Sequence, residues 1–251
     1  MGIDYNPFSL ENKTILVTGA SSGIGQETAI QCSKMGAKLI LNGRNEERLN
    51  ETLKNCEGEG HTVILGDLTI QDDIERLVSN VPSLDGVVLC AGKGLTLPFN
   101  FSTREKFDSI FNVNFFSPVE VLRLLSKKKK LNKESSVVFI VSIGGTERFS
   151  VGNSIYGASK AALKSMVNFC AQELCGKLIR VNGICPGMVE TPLIHGGTLA
   201  TDQLAEDMAK YPLKRYGKPE DIAFGVIYLL SNAASWLTGQ SIVIDGGVTA
   251  K

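Results

Sequence analysis

In Tyr156-Gly-Ala-Ser-Lys160 a phenol and an ammonium stand four residues apart, at the start of a segment with helical periodicity. On a helix that spacing sets both side chains on one face. A free phenol, with a pKa near ~10, is a poor proton shuttle at neutral pH. A neighbouring ammonium stabilises the phenolate and draws the group toward useful acid–base chemistry. Such a pair alone also occurs on exposed helices, so its company decides. Ser142 ends the apolar run 137–141, and a hydroxyl at the C-terminal end of a parallel strand points into the crevice where ligands bind. Asn114 interrupts an otherwise apolar stretch of a helical segment over 103–127. A buried amide must find partners, and a disrupted helix there opens a site for water. The alternative for Asn114 is a solvated helix surface.

A second group of residues has the makings of a phosphate site. Thr18-Gly-Ala-Ser-Ser-Gly-Ile-Gly25 lies between the first strand and the first helix, with Ser21, Ser22 and Ile24 set among Gly19, Gly23 and Gly25. Glycine permits a tight turn and close backbone approach, and the helix N-terminus presents unpaired N–H groups to a pyrophosphate. A packing turn is the competing reading. The second strand ends in Asn42-Gly43-Arg44-Asn45. An acidic residue there would accept hydrogen bonds from a ribose 2′-hydroxyl and repel a 2′-phosphate. Here the position expected for it is Gly43, and the Arg44 guanidinium that follows can pair with the phosphate of NADP. Otherwise Arg44 is a surface residue paired with Glu46 or Glu47.

The spacing Thr-Gly-x-x-x-Gly-x-Gly, with Tyr-x-x-x-Lys and Ser142 upstream of it, resembles the short-chain dehydrogenase/reductase family over about residues 10–250. The resemblance implies that Tyr156 is the general acid for a carbonyl oxygen and that Lys160 lowers its pKa and holds the nicotinamide ribose. It implies that Ser142 bonds the substrate oxygen and that Asn114 holds a water in a proton relay. Asp67, with Leu68 after it, resembles the family aspartate at the adenine, and Ala91-Gly92 follow the fourth strand. The segment Asn182 to Pro192 resembles the one that brackets the nicotinamide, with Pro186, Gly187, Val189 and Thr191 at the cofactor. Within the family the chain is most similar to 3-oxoacyl-acyl-carrier-protein reductases. The implied cofactor is NADP(H), the implied reaction is reduction of a small-molecule carbonyl to an alcohol, and the implied assembly is a homotetramer. It pairs the helices 103–127 and 155–176, with a second contact at 236–245. Two departures stand out. Leu89-Cys90-Ala91-Gly92 replaces Asn-Asn-Ala-Gly and loses polar side chains that would tie strands together. The gap from Ser142 to Tyr156 is one residue longer than in many members, enough to reshape a substrate pocket.

The elements that must position these groups are legible in the alternation of short β-branched runs with longer amphipathic stretches. Strand candidates lie at 14–18, 38–41, 62–65, 86–90, 137–141, 179–184 and 241–244. They are apolar on both parities, as strands buried on both faces of a parallel sheet are. The class is α/β: one Rossmann-type, doubly wound domain over 1–251, with helices on both faces. Residues 187–218 break the pattern with Pro192, Gly196, Gly197, Pro212 and Gly217 around a helical candidate at 202–210, which reads as a substrate lid. His195 lies in it. Formal charge is zero, with 26 basic and 26 acidic residues, which argues against a nucleic-acid partner. No apolar run approaches the ~20 residues that span a bilayer, and no secretory leader stands at the N-terminus. Six unpaired cysteines without Cys-x-x-Cys spacing point to no metal and to a reducing cytoplasm. Lys127 to Lys130 with Lys133 could dock an acidic acyl carrier protein, or simply form a solvated helix end.

Overall fold

The computed structural model describes residues 5–192 and 206–250. Seven strands form one parallel sheet: β1 (Thr14–Thr18), β2 (Lys38–Gly43), β3 (Thr62–Leu65), β4 (Leu84–Leu89), β5 (Leu131–Ile140), β6 (Arg180–Pro186) and β7 (Ser241–Ile244). Their order is β3-β2-β1-β4-β5-β6-β7. The order reverses between β1 and β4, and at such a switch point the loops leaving the two strands diverge and open a crevice. Residues that follow the C-terminal ends of β1, β2, β4, β5 and β6 therefore converge on one edge.

Helices cover both faces: α1 (Gly23–Lys34), α2 (Glu46–Lys54), α3 (Gln71–Asn80), α4 (Arg104–Phe111), α5 (Ser117–Lys127), α6 (Ser154–Leu174) and α7 (Pro219–Leu230). One core lies between the sheet and α3, α5 and α6, around Val87, Val121, Leu125, Phe139 and Leu163. The other lies beneath α1 and α7, around Ile15, Val17, Ala29, Ile184 and Val226. Because β1, β4 and β5 are sandwiched between the two, their residues are apolar on both parities.

Three elements differ from the sequence reading. The helical stretch 103–127 is divided by a π-helical turn, Asn112–Phe116, which puts Asn114 in the core at 0% exposure. β5 starts at Leu131, six residues before the apolar run. Its polar first half, with Glu134 at φ 66°, sits where the register with β4 shifts between Leu84 and Gly86. Such an irregularity removes the apolar continuity by which a buried strand is recognised. α7 went unmarked in the strand-by-strand reading, yet Pro219 opens it and the Asp221 carboxylate accepts from Lys218 N at 2.7 Å. Of the lid, 193–205 with His195 lies outside the described residues, and only the last part of the helical candidate, 206–209, is seen to be helical.

Candidate active site

The glycine turn is shaped by contacts that exclude any side chain. Gly19, at φ +67°, lies against the loop after β4, where a Cβ would come 2.9 Å from Ala91 Cα. A Cβ on Gly25 would run into the Gly19 carbonyl, and one on Gly23 would stand 3.1 Å from Thr191 Cγ2. The turn thus meets both Ala91 and Thr191. Ser22 is the N-cap of α1, but its side chain makes no cap bond and the first turn carries no acidic residue. Those N–H groups and the positive end of the helix dipole are left to an anion.

Thr18, the first residue of the glycine turn, has a structural role of its own. Its Oγ1 donates to Val88 O at 3.3 Å and accepts from Cys90 N at 3.0 Å and Ala91 N at 3.3 Å. It therefore ties β1 to the end of β4, a tie that Leu89-Cys90 had been expected to lack. Burial pushes the Cys90 thiol up to about 12, so the side chain that replaces an amide is a neutral filler.

At the end of β2, a Cβ on Gly43 would lie 3.2 Å from Ser21 Oγ and 3.3 Å from Leu49 Cδ2. An aspartate would crowd the turn. Arg44 is 75% exposed, with its Nη1 3.7 Å from Asp67 Oδ2 rather than on Glu46 or Glu47. An exposed pair of that length is weak, so the guanidinium is available to a stronger anion. Asp67 is held below the usual carboxylate range. Burial opposes this, but Thr69 N and Thr69 Oγ1 donate to it at 2.9 and 2.8 Å and Arg44 adds to them. Asn45 is spent on capping α2, its Oδ1 accepting from Arg48 N at 2.9 Å. Leu68 is buried.

On the other side of the switch point four groups converge. Ser142, two residues beyond β5, accepts from Gly144 N at 3.0 Å, and its Oγ and the Tyr156 ring flank Gly144 at 3.3 and 3.6 Å from where a Cβ would stand. Lys160 is buried, its Nζ donating to Ile140 O at 2.8 Å and standing 5.9 Å from the centre of the Tyr156 ring. A Cβ on Gly92 would fall 3.5 Å from Asn114 Oδ1 and 3.6 Å from Lys160 Nζ, so both reach the same point of the β4 loop. Burial lowers Lys160 to about 8. Tyr156 does not follow the expected downward direction: burial raises it, and the nearby Ser142 hydroxyl opposes the rise without cancelling it. The desolvation that weakens the ammonium also disfavours a phenolate beside it.

The Asn114 amide is heavily engaged. Oδ1 accepts from Lys93 N at 2.8 Å, and Nδ2 donates to Lys93 O at 3.0 Å and to Ser159 Oγ at 3.1 Å. Ser159, also unmarked in the sequence, passes the link to Tyr156 O at 2.7 Å. The π-helical turn thus fastens the β4 loop to the first turn of α6, which carries the Tyr–Lys pair.

Beyond β6, a Cβ on Gly187 would meet Asp245 Cα at 2.9 Å, so Pro186 and Gly187 lie against the end of β7, while Val189 pairs with Gly217. Met188 N donates to the Tyr211 hydroxyl at 3.1 Å, and Glu190 N to Gly217 O at 2.8 Å. Arg148, in the loop between Ser142 and Tyr156, pairs with Asp207 at 3.0 Å and so joins that loop to the far side of the cleft.

Residues 19–249 match the family model described as Enoyl-(Acyl carrier protein) reductase. The chain is 34% identical over 245 residues to the 3-oxoacyl-[acyl-carrier-protein] reductase FabG of Rickettsia prowazekii, covering 95% of this chain and 98% of the relative. The chain belongs to the short-chain dehydrogenase/reductase family. Within that family it is also 32% identical to a tropinone reductase homolog of Arabidopsis thaliana, across 96% of this chain and 91% of the relative. Its fold superposes on the Pseudomonas aeruginosa RhlG/NADP active-site complex with a TM-score of 0.90 at 29% identity, covering 98% and 100% of the two chains. As a short-chain dehydrogenase/reductase it is an oxidoreductase of the nicotinamide-dependent kind. Among the described residues no helix is long and apolar enough to cross a membrane.

Proposed function

We propose that the protein is an NADPH-dependent reductase that converts a carbonyl to an alcohol. The observation that carries this reading is the convergence of Ser142 and Tyr156, either side of Gly144, with buried Lys160 and the Asn114-braced loop at Gly92. The nicotinamide, when bound, supplies a hydride. The chain supplies the rest. Ser142 and Tyr156 hold the substrate oxygen, Tyr156 delivers the proton to it, and Lys160 at about 8 titrates near the operating range and can pass a proton onward. Asn114 fixes the β4 loop and the start of α6 relative to one another and borders the relay. The residues fit a dinucleotide: the Gly19–Gly25 cradle with its uncapped helix N-terminus suits a pyrophosphate. Asp67, Leu68, Ala91, Gly92, Pro186, Gly187, Val189 and Thr191 line the path from adenine to nicotinamide. Exposed Arg44 beside Gly43 favours the 2′-phosphate of NADP over the hydroxyl of NAD.

For the substrate, the 3-oxoacyl thioester of the Rickettsia relative is the first candidate, and the ketone of a tropinone-type relative is the second. The lysine run does not help to choose. Lys127–Lys130 precede β5 at its N-terminal end, and Lys130 Nζ is bonded to Val81 O at 2.6 Å. Ser142 lies past the other end of that ten-residue strand, about 30 Å away at ~3.3 Å per residue. A carrier delivering substrate to this site would dock elsewhere. Free thiols throughout agree with a reducing cytoplasm, and exposed apolar residues on two faces agree with a homotetramer. The test is NADPH and NADH oxidation against 3-oxoacyl thioesters, diketones, quinones, keto-steroids and keto-sugars. Turnover of one class with NADPH is expected; tight NADPH binding with no turnover of any carbonyl would instead identify a sensor.

A further inference from the structure

Shortly after Ser142 the chain carries two opposite charges side by side, Glu147 and Arg148, and they reach in different directions. Glu147 Oε1 accepts from Lys164 Nζ at 2.6 Å, one helical turn beyond Lys160 on α6. Arg148 Nη2 donates to Asp207 Oδ1 at 3.0 Å, on the far side of the cleft. The turn that bears them is closed on itself. Arg148 N donates to Ile143 O and Gly145 N to Arg148 O, each at 2.9 Å, and Thr146 Oγ1 donates to Ser142 O at 2.7 Å. A shift of Arg148 is thereby passed to Ser142.

Asp207 is tied just as closely to its own side. Its Oδ2 accepts from the Tyr216 hydroxyl at 3.3 Å, and the Tyr216 ring meets the Tyr211 ring edge-on, with centroids 5.3 Å apart. Tyr211 is buried, and its hydroxyl accepts from Met188 N at 3.1 Å. A continuous run of contacts thus leads from the Ser142 turn through Arg148, Asp207, Tyr216 and Tyr211 to the backbone beside Gly187. The side chains of the ion pair are 30% and 20% exposed, so it is less screened than a pair on the open surface.

We propose that Arg148 and Asp207 are positioning residues whose ion pair sets the distance between Ser142, which takes the substrate oxygen, and the Gly187–Met188 backbone assigned to the nicotinamide. This rests on the functional reading above. Hydride transfer needs the reacting atoms held ~3–3.5 Å apart, and a misplacement of about 1 Å costs on the order of 10²-fold in rate. Breaking the pair should therefore slow the hydride step while sparing cofactor affinity and the fold, because the Gly19–Gly25 turn and the two cores lie elsewhere.

The experiment mixes NADPH-saturated protein with the carbonyl that the wild type reduces fastest among 3-oxoacyl thioesters, diketones, quinones, keto-steroids and keto-sugars, and follows NADPH absorbance through one turnover. It is run on the wild type, Arg148→Gln, Asp207→Asn, the double variant and Arg148→Lys. Asp207→Asn keeps an acceptor for Tyr216 and removes the charge. Each of Arg148→Gln and Asp207→Asn should lose about tenfold or more in the single-turnover rate, with NADPH affinity by fluorescence and the urea midpoint nearly unchanged. The double variant should be no slower than the worse single one, since both remove the same pair, and Arg148→Lys should keep part of the rate. A rate that neither single variant lowers overturns the inference, as do losses that multiply in the double variant or merely track a fall in the urea midpoint. A wild type that binds NADPH and reduces no carbonyl of any class overturns the functional reading beneath it.

Discussion

Lys160 is held where an ammonium is least comfortable, buried and bonded to one backbone carbonyl, and its pKa falls from 10.5 to about 8. Its folded value lies below its unfolded one. Between those values the unfolded chain binds more protons, so the stability of the folded protein rises with pH across the window. Against a Lys160→Met variant, the wild type should gain on the order of 3 kcal/mol between pH 8 and 10.5, at 1.36 kcal/mol per unit. Parallel denaturation midpoints for the two proteins across that range would show that the ammonium is not desolvated. Tyr156 tests the chemistry rather than the fold. Tyr156→Phe keeps the ring and deletes the transferable proton, so turnover should fall by about 10²-fold or more while NADPH binding changes little. Retained turnover would move the acid to another group.

At the scale of elements, the strands flanking the switch point were legible because burial on both faces leaves a continuous apolar run, as in Ile15-Leu16-Val17 and Val87-Val88-Leu89. The candidate catalytic side chains were legible for the opposite reason: each is a polar group at a strand end or in an apolar helix. What stayed hidden were polar residues whose partners are distant in sequence. Nothing local distinguishes Thr18 from an ordinary strand threonine, nor Ser159 from a helix serine, until Cys90 N and Asn114 Nδ2 are placed against them. The division of 103–127 was legible only as an anomaly at Asn114, since a π-helical turn shows itself in backbone bonding rather than in residue type. Two variants probe these elements. Thr18→Val removes the acceptor shared by Cys90 N and Ala91 N and should cost about 1–3 kcal/mol of stability, read by urea unfolding. Arg44→Ala, at the turn from β2 to α2, should weaken NADPH about tenfold more than NADH, the share of one charge-assisted contact. Equal losses would separate Arg44 from the 2′-phosphate.

For the molecule as a whole, two groups stand out among the apolar residues left exposed. Phe116, at the end of the π-helical turn, and Phe169, on α6, are 56% and 60% exposed and lie on packed neighbours. Phe224 on α7, Trp236 before β7 and Val243 within it form the second group, with Trp236 100% exposed. A large aromatic side chain left in water forgoes about 1.5–3 kcal/mol of burial, so patches of this kind mark contacts. One self-complementary patch closes a dimer with two-fold symmetry; two patches, each self-complementary, close a tetramer with three perpendicular two-fold axes. The wild type should therefore sediment as four 27.0 kDa chains at micromolar concentration. Trp236→Arg should leave the first contact intact and yield dimers, because a charge introduced beside its own symmetry mate repels as well as desolvates. Phe169→Asp should yield dimers held by the other face. A monomeric wild type would overturn the assembly, and a tetramer that survives both substitutions would show that its contacts lie elsewhere on the surface.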